Sequence, residues 1–214
     1  MSKQPSSFFI PDLITLVNFP FARNQHYERA SAESAAWFRE YNLFETKSKK
    51  VELIQSCTEL LASHFYPEAN YEKFRICCDF MNICFLIDMV FDDEDGEGAR
   101  KLAGIYIGAM TSDEETENST PFYRVIRDWR KRFVQGASPT CQRRLWKLAD
   151  SFITSVSKES DLRASGANFS LDNYLILRRE VSAVRIADCL FEYVNGVDVP
   201  DAVFDDPAFN AMYL

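Results

Sequence analysis

Asp88 and Asp92 are the residues whose type and spacing most directly suggest chemistry in this chain. At 3.6 residues per turn they stand one turn apart on one face of a helix, about 6 Å from each other. They continue a line formed by Phe74, Cys77, Met81 and Phe85, a stripe that should face the protein interior. Two carboxylates so placed can share a divalent cation. Magnesium suits them, because it takes hard oxygen ligands, keeps part of its water shell and is commonly held by one or two carboxylates together with substrate phosphates. The acids that follow, Asp93, Glu94, Asp95 and Glu97, admit a plainer reading as a solvated helix end, which is what most charge runs are. That reading leaves Asp88 unexplained, since it sits inside the apolar segment. Carboxylates at a helix C-terminus also oppose the macrodipole, at about 0.3 to 1 kcal/mol each.

The element that must position these acids is the segment from 74 to 92, apolar on most sides and therefore expected at the centre of the fold. Around it, Trp37, Phe38 and Tyr41 mark a helix beginning near Ser31. Val51, Ile54, Cys57, Leu61 and Phe65 lie at helical spacing in a second helix from about Ser48 to Tyr66-Pro67. After Gly96 and Gly98 a helix over 99–111 leads to the polar loop SDEETENST. Thr120-Pro121 and Ser138-Pro139 pair a capping residue with proline at the first helical position. They open a helix carrying Phe122, Val125, Ile126, Trp129 and Phe133 and another carrying Leu145, Leu148, Phe152 and Val156. Arg124, Arg127, Arg130, Lys131 and Arg132 should cover the outer face of the first of these as a solvated surface. A loop, SGANFS, ends on Ser170 as the cap of a helix through LDNYLILRREVSAVRIADCLFEYV. Arg178 and Arg179 are adjacent on it and diverge by about 100°, so only one can point inward. An inward arginine needs an anion, and a nearby acid would serve as well as a ligand.

Composition narrows the class. Seven Gly and eight Pro in 214 residues, against about 12% in an average protein, favour an all-α chain with few tight turns. No apolar run reaches the 18 residues of a membrane span. The net charge of −8 argues against nucleic acid as a partner, and a polyanionic substrate would need metal ions or a local cationic site. The N-terminus lacks the charged region and apolar core of a secretory signal, which points to the cytosol. Cys57, Cys77, Cys78, Cys84, Cys141 and Cys189 show no metal-binding spacing and are expected to be reduced core thiols. Pro11 and Pro20 interrupt residues 8–27, so residues 1–30 form an N-terminal strap over one domain spanning 1–214.

Taken in order, FFIPDL, FPFAR, CDFMNICFLIDMVFDD, YLILRREVSA and FEYVNGVDVPDAVFDDP resemble the class I terpene synthases, in particular the sesquiterpene synthases of basidiomycete fungi. The resemblance covers essentially the whole chain. It implies a helical bundle around an apolar cavity in which Mg²⁺ holds the diphosphate of a prenyl substrate, farnesyl diphosphate in particular. By the same resemblance, Asp88 and Asp92 stand at the first and last acids of the aspartate-rich motif, with Met89 where a second polar residue is usual. Arg179 matches the arginine that senses diphosphate, Ser182 the linker position, and Ala183 the position at a helix break where glycine is common and the backbone carbonyl acts. Phe85 becomes a candidate to stabilise a carbocation through its ring face, with Phe65 and Tyr174 as further aromatic candidates.

The implied activity is a carbon–oxygen lyase releasing diphosphate and a sesquiterpene. Two other readings stand beside it: a noncatalytic helical protein that keeps the fold, and a prenyl-elongating transferase, for which a second acidic cluster would be expected. Asp206-Pro207 caps a helix with only AFNAMYL following, and the family's Asn-Asp-x-x-Ser-x-x-x-Glu motif would come later. The expectation is therefore that the chain is a fragment of a longer protein.

Overall fold

The apolar segment forms one helix of 21 residues, Tyr71–Phe91, begun by Asn70, whose side chain accepts from the Lys73 backbone N–H at 3.0 Å. Every residue from Ile76 to Cys84 on it is buried. The computed structural model describes residues 7, 9–17, 19–44, 46–112, 120–166 and 170–213. The two expected polar loops at 112–120 and 165–170 fall largely outside them. The described elements are α1 (Leu13–Leu16), α2 (Tyr27–Glu40), α3 (Lys47–Gln55), α4 (Thr58–Phe65), α5 (Tyr71–Phe91) and α6 (Gly96–Thr111). There follow α7 (Pro121–Gly136), α8 (Pro139–Ala164), α9 (Leu171–Val181), α10 (Val184–Asn195), α11 (Asp201–Phe204) and α12 (Pro207–Tyr213). No strand occurs among the described residues, so the chain is all-α.

Helix α5 is central because α2, α4, α7, α8 and α10 all pack on it. Its seam with α7 is aromatic. Trp129 stacks on Phe133 with centroids 4.9 Å apart, meets Phe80 at 4.9 Å, and donates its indole N–H to the Ile76 carbonyl at 3.0 Å. At the other side Tyr66, just beyond α4, donates its hydroxyl to the Ala187 carbonyl of α10 at 2.7 Å. The expected caps hold: Thr120, Ser138 and Ser170 accept from the backbone N–H of Tyr123, Cys141 and Asn173.

Several details differ from the sequence reading; among them, the helix expected through LDNYLILRREVSAVRIADCLFEYV is divided at Ala183 into α9 and α10. The helix expected through Val51 and Phe65 breaks in two, with Cys57 in the left-handed region at φ 52. The break lets Thr58 reach inward, where its hydroxyl bonds Asn82 of α5, while Val51 and Ile54 stay exposed. Cys57 is also exposed, unlike the other five thiols. The described side chains of residues 9–21 lie open, Phe9 and Phe21 above 80% exposed. The strap is fastened only near its end, where the Asn24 amide donates to the carbonyls of Tyr66 and Ala69 at 2.7 and 2.9 Å. Finally, the basic residues of α7 form a solvated face only in part, with Arg124 and Lys131 exposed. Arg127 and Arg130 are buried, donating to the carbonyls of Ser112 and Met110, and Arg132 turns to Asp79 at 2.6 Å.

Asp79 is the hub of that last contact. Fully buried on α5, it also accepts from the Ser34 hydroxyl at 2.6 Å and pairs with Arg75 one turn back. Burial is the main cause raising its carboxyl above the usual range, with Arg75 and Arg132 pulling it down. Asp79→Asn removes the buried charge shared by two guanidinium groups, leaving Arg132 to Asp128 and Arg75 to the Glu33 carbonyl. We expect it to cost about 3 kcal/mol in urea unfolding, the lower end for a broken buried pair because both arginines keep some water.

Candidate functional site

The line Phe85, Asp88, Asp92 runs out of the core at the end of α5. Phe85 is half-buried, whereas Asp88 and Asp92 are exposed, so the acids stand at the mouth of the bundle and not in its interior. Met89 and Val90, between them, turn back to pack on the core. That packing accounts for an apolar residue at 89: the position faces away from the mouth.

Helix α8 brings the opposite wall. Its apolar stripe Leu145, Phe152, Val156 continues into Glu159 and Arg163, as the α5 stripe continues into its acids. Arg163 donates to Asp92 at 2.8 Å, to the Phe91 carbonyl at 3.0 Å and to the Ser160 hydroxyl at 3.2 Å, clamping the two helix ends together. Asp88 accepts no side-chain hydrogen bond among the described residues. Partial burial is the main cause raising its carboxyl, with the charge of Asp92 second, while Arg178 and Arg163 pull it down. Glu159 is raised likewise, first by burial, with Arg163 and Arg178 opposing and Asp88 and Asp92 adding. Three carboxylates and two arginines thus share one field that remains net negative. Hard oxygen donors with an uncompensated charge fit a divalent cation.

Helix α9 supplies Arg178, whose charge reaches Asp88 and Glu159. Arg179 is exposed and its side chain makes no hydrogen bond or ion pair among the described residues. It follows Leu171 and Leu175 and precedes Ser182 on one line of the helix. Ser182 ends α9, its hydroxyl donating to the Arg179 carbonyl at 2.9 Å. Ala183 breaks the chain between α9 and α10 at φ 60, and its carbonyl accepts from Ala187 in the first turn of α10. A left-handed conformation costs an L-residue about 1 to 2 kcal/mol, and glycine escapes it. Ala183→Gly is therefore expected to raise stability by about 1 kcal/mol in urea unfolding, and Ala183→Val to lower it.

A partly open apolar surface lies between α4 and α10. Phe65 of α4 stacks on Phe191 of α10 with centroids 6.4 Å apart, both partly open, and Leu61 is 41% exposed. Tyr174 is 47% exposed on α9. Sequence reasoning singled out neither Glu159 nor Arg163. The signal was present, because the stripe of α8 ends on them at the same 3.6-residue period that identified Asp88.

Comparison with known proteins bears on what this mouth does. Residues 79–214 match the model of terpene synthase family 2, C-terminal metal binding. The chain is 38% identical over 206 residues to a Coprinopsis cinerea protein named linoleate 10R-lipoxygenase COP4, covering 96% of this chain and 59% of that one. It is 37% identical over 213 residues to the bifunctional terpene synthase Agr4 of Cyclocybe aegerita, covering 100% and 62%. The chain thus spans about 60% of the length of these relatives. The lipoxygenase name stands apart from the terpene synthase names of the family model and of Agr4. In fold, the chain superposes on the linalool/nerolidol synthase of Streptomyces clavuligerus with a TM-score of 0.80 at 22% identity, over 91% of this chain and 66% of that one.

Proposed function

The chain belongs to the terpene synthase family, in its basidiomycete sesquiterpene synthase branch, and on that premise we propose that it ionises a prenyl diphosphate, farnesyl diphosphate in particular, to a sesquiterpene and diphosphate. The observation that carries this reading is the meeting of Asp88, Asp92 and Glu159 with Arg163 and Arg178 where the apolar stripes of α5 and α8 end. A polyanionic head group and an apolar tail need such a boundary between the charged mouth and the apolar stripes behind it.

Asp88 and Asp92 would hold Mg²⁺. When bound, the ion neutralises charge that builds on the departing diphosphate. The protein's own part is positional. Arg179, without a partner to give up among the described residues, donates a planar fork to phosphate oxygens. Ser182 and Ala183 set the angle at which α9 presents it. Arg163 fixes Asp92 against α8, and Glu159 faces Asp88 across the mouth. As the carbon–oxygen bond breaks, its electron pair leaves with the diphosphate and the allylic chain becomes a cation. Phe85, one turn from Asp88, offers a ring face to that charge and helps exclude the water that would trap it.

No described helix is long and apolar enough to cross a membrane. A cytosolic setting is supported by the six free cysteines. The test is turnover: farnesyl diphosphate with Mg²⁺ should yield a volatile C15 hydrocarbon and one diphosphate per product, lost on chelation by EDTA. Recovery of unchanged substrate by a folded protein that binds Mg²⁺ would favour the noncatalytic reading.

A further inference from the structure

A second cluster of ligand atoms lies far from the mouth, where the start of α8 meets α10. The thiols of Cys141 and Cys189 and a carboxylate oxygen of Glu192 all fall within 4.8 Å of one another, and all three residues are buried. Cys141 is 18 residues from Glu159 on the same helix, about 27 Å along its axis, so this cluster is separate from the acids of the mouth. Each sulfur touches the backbone carbonyl of the other cysteine, at 4.0 and 3.9 Å. Such contacts are weak and leave both thiols facing each other across the helix interface.

Glu192 gives the independent indication. It is 93% buried, at 7% exposure. One oxygen accepts from the Val199 backbone N–H at 2.6 Å and pairs with Arg144. The other, Oε2, is buried with no hydrogen-bond partner. A buried carboxylate oxygen without a partner is costly, and a cation would recover that cost.

We propose that Cys141, Cys189 and Glu192 form a structural Zn²⁺ site joining α8 to α10. Two thiolates and a carboxylate are ordinary zinc ligands, and a borderline-soft ion prefers them to the all-oxygen set at Asp88 and Asp92. The charges close: three negative ligands are balanced by the two charges of the ion and the one of Arg144. Arg144 also engages the exposed Asp201, and its contact with Glu192 orients the ligating carboxylate as outer partners of metal ligands do. An entry path exists. Arg144, Asp188, Cys189, Glu192, Phe209 and Tyr213 line a cavity of about 490 Å³, and water from it completes the tetrahedron. Binding displaces the two thiol protons into that cavity, with no change of oxidation state.

The test uses the purified chain, loaded with Zn²⁺ and passed over a weak chelator. We expect one zinc per chain, not displaced by excess Mg²⁺, and a thermal midpoint raised by the ion. Substitution with Co²⁺ should give thiolate-to-cobalt charge-transfer absorption in the near ultraviolet. Cys141→Ser and Cys189→Ser should each abolish that band, Glu192→Gln should weaken affinity at least tenfold, and Cys57→Ser and Asp88→Asn should change neither. Should the cysteine variants not fold, X-ray absorption of the zinc-loaded parent decides: two sulfurs at about 2.3 Å with oxygens at about 2.0 to 2.2 Å support the site. An all-oxygen shell, zinc well below one per chain, a band lost in Cys57→Ser, or a Cys141–Cys189 disulfide in the protein as isolated would overturn it.

Discussion

Asp88→Asn is expected to lower turnover of farnesyl diphosphate by roughly 100-fold or more, the scale on which a single group stabilising developing charge acts. The substitution is nearly isosteric. It removes a charge from a side chain that is exposed and accepts no hydrogen bond among the described residues, so the fold gives little reason for a stability change beyond about 0.5 kcal/mol. Helical circular dichroism should therefore be unchanged while the Mg²⁺ concentration for half-maximal rate rises. Asp92→Asn should do less, because one Asp92 oxygen is already engaged by Arg163. Glu97→Gln, a control on the solvated side of the acidic run, should match the parent. Full activity of Asp88→Asn would remove the metal assignment.

That contrast also bears on what the amino-acid order could disclose. Helix α5 was legible because its information is local: a long apolar stripe, a polar break, and two acids in phase with it. The caps at Thr120, Ser138 and Ser170 were legible for the same reason, each hydroxyl satisfying a backbone N–H three residues on. What escaped depends on partners far along the chain. The break at Cys57 follows from Thr58 reaching Asn82, 24 residues away, and no periodicity within α3 and α4 contains it. The arginines of α7 look like a surface face until Asp79 and the carbonyls at the end of α6 are placed beside them. At the mouth, one wall was visible and its complement was not. Glu159 and Arg163 have meaning only once α8 is known to lie against the end of α5.

The choice between the two arginines of α9 turns on the same distinction between a charge already committed and one still free. Arg178 stands in the field of Asp88 and Glu159, where its charge opposes the burial that raises both carboxyls. Moving it to a diphosphate would leave those acids less compensated, so part of what it gained would be lost again. Arg179 has no such obligation, and it is the residue that the family pattern assigns to diphosphate. Arg179→Lys keeps the charge but replaces a planar fork with a point donor. We expect it to reduce kcat/KM by roughly 10- to 100-fold, about 1.4 to 2.7 kcal/mol of transition-state stabilisation. Inorganic diphosphate should also inhibit the variant more weakly than the parent. Arg178→Lys should cost only a few-fold, and its effect should appear in the Mg²⁺ dependence, because its charge acts on the carboxylates. The reverse order of sensitivities, with Arg178→Lys weakening diphosphate inhibition and Arg179→Lys leaving it intact, would move the diphosphate contact to Arg178 and leave Arg179 on the solvent face of α9.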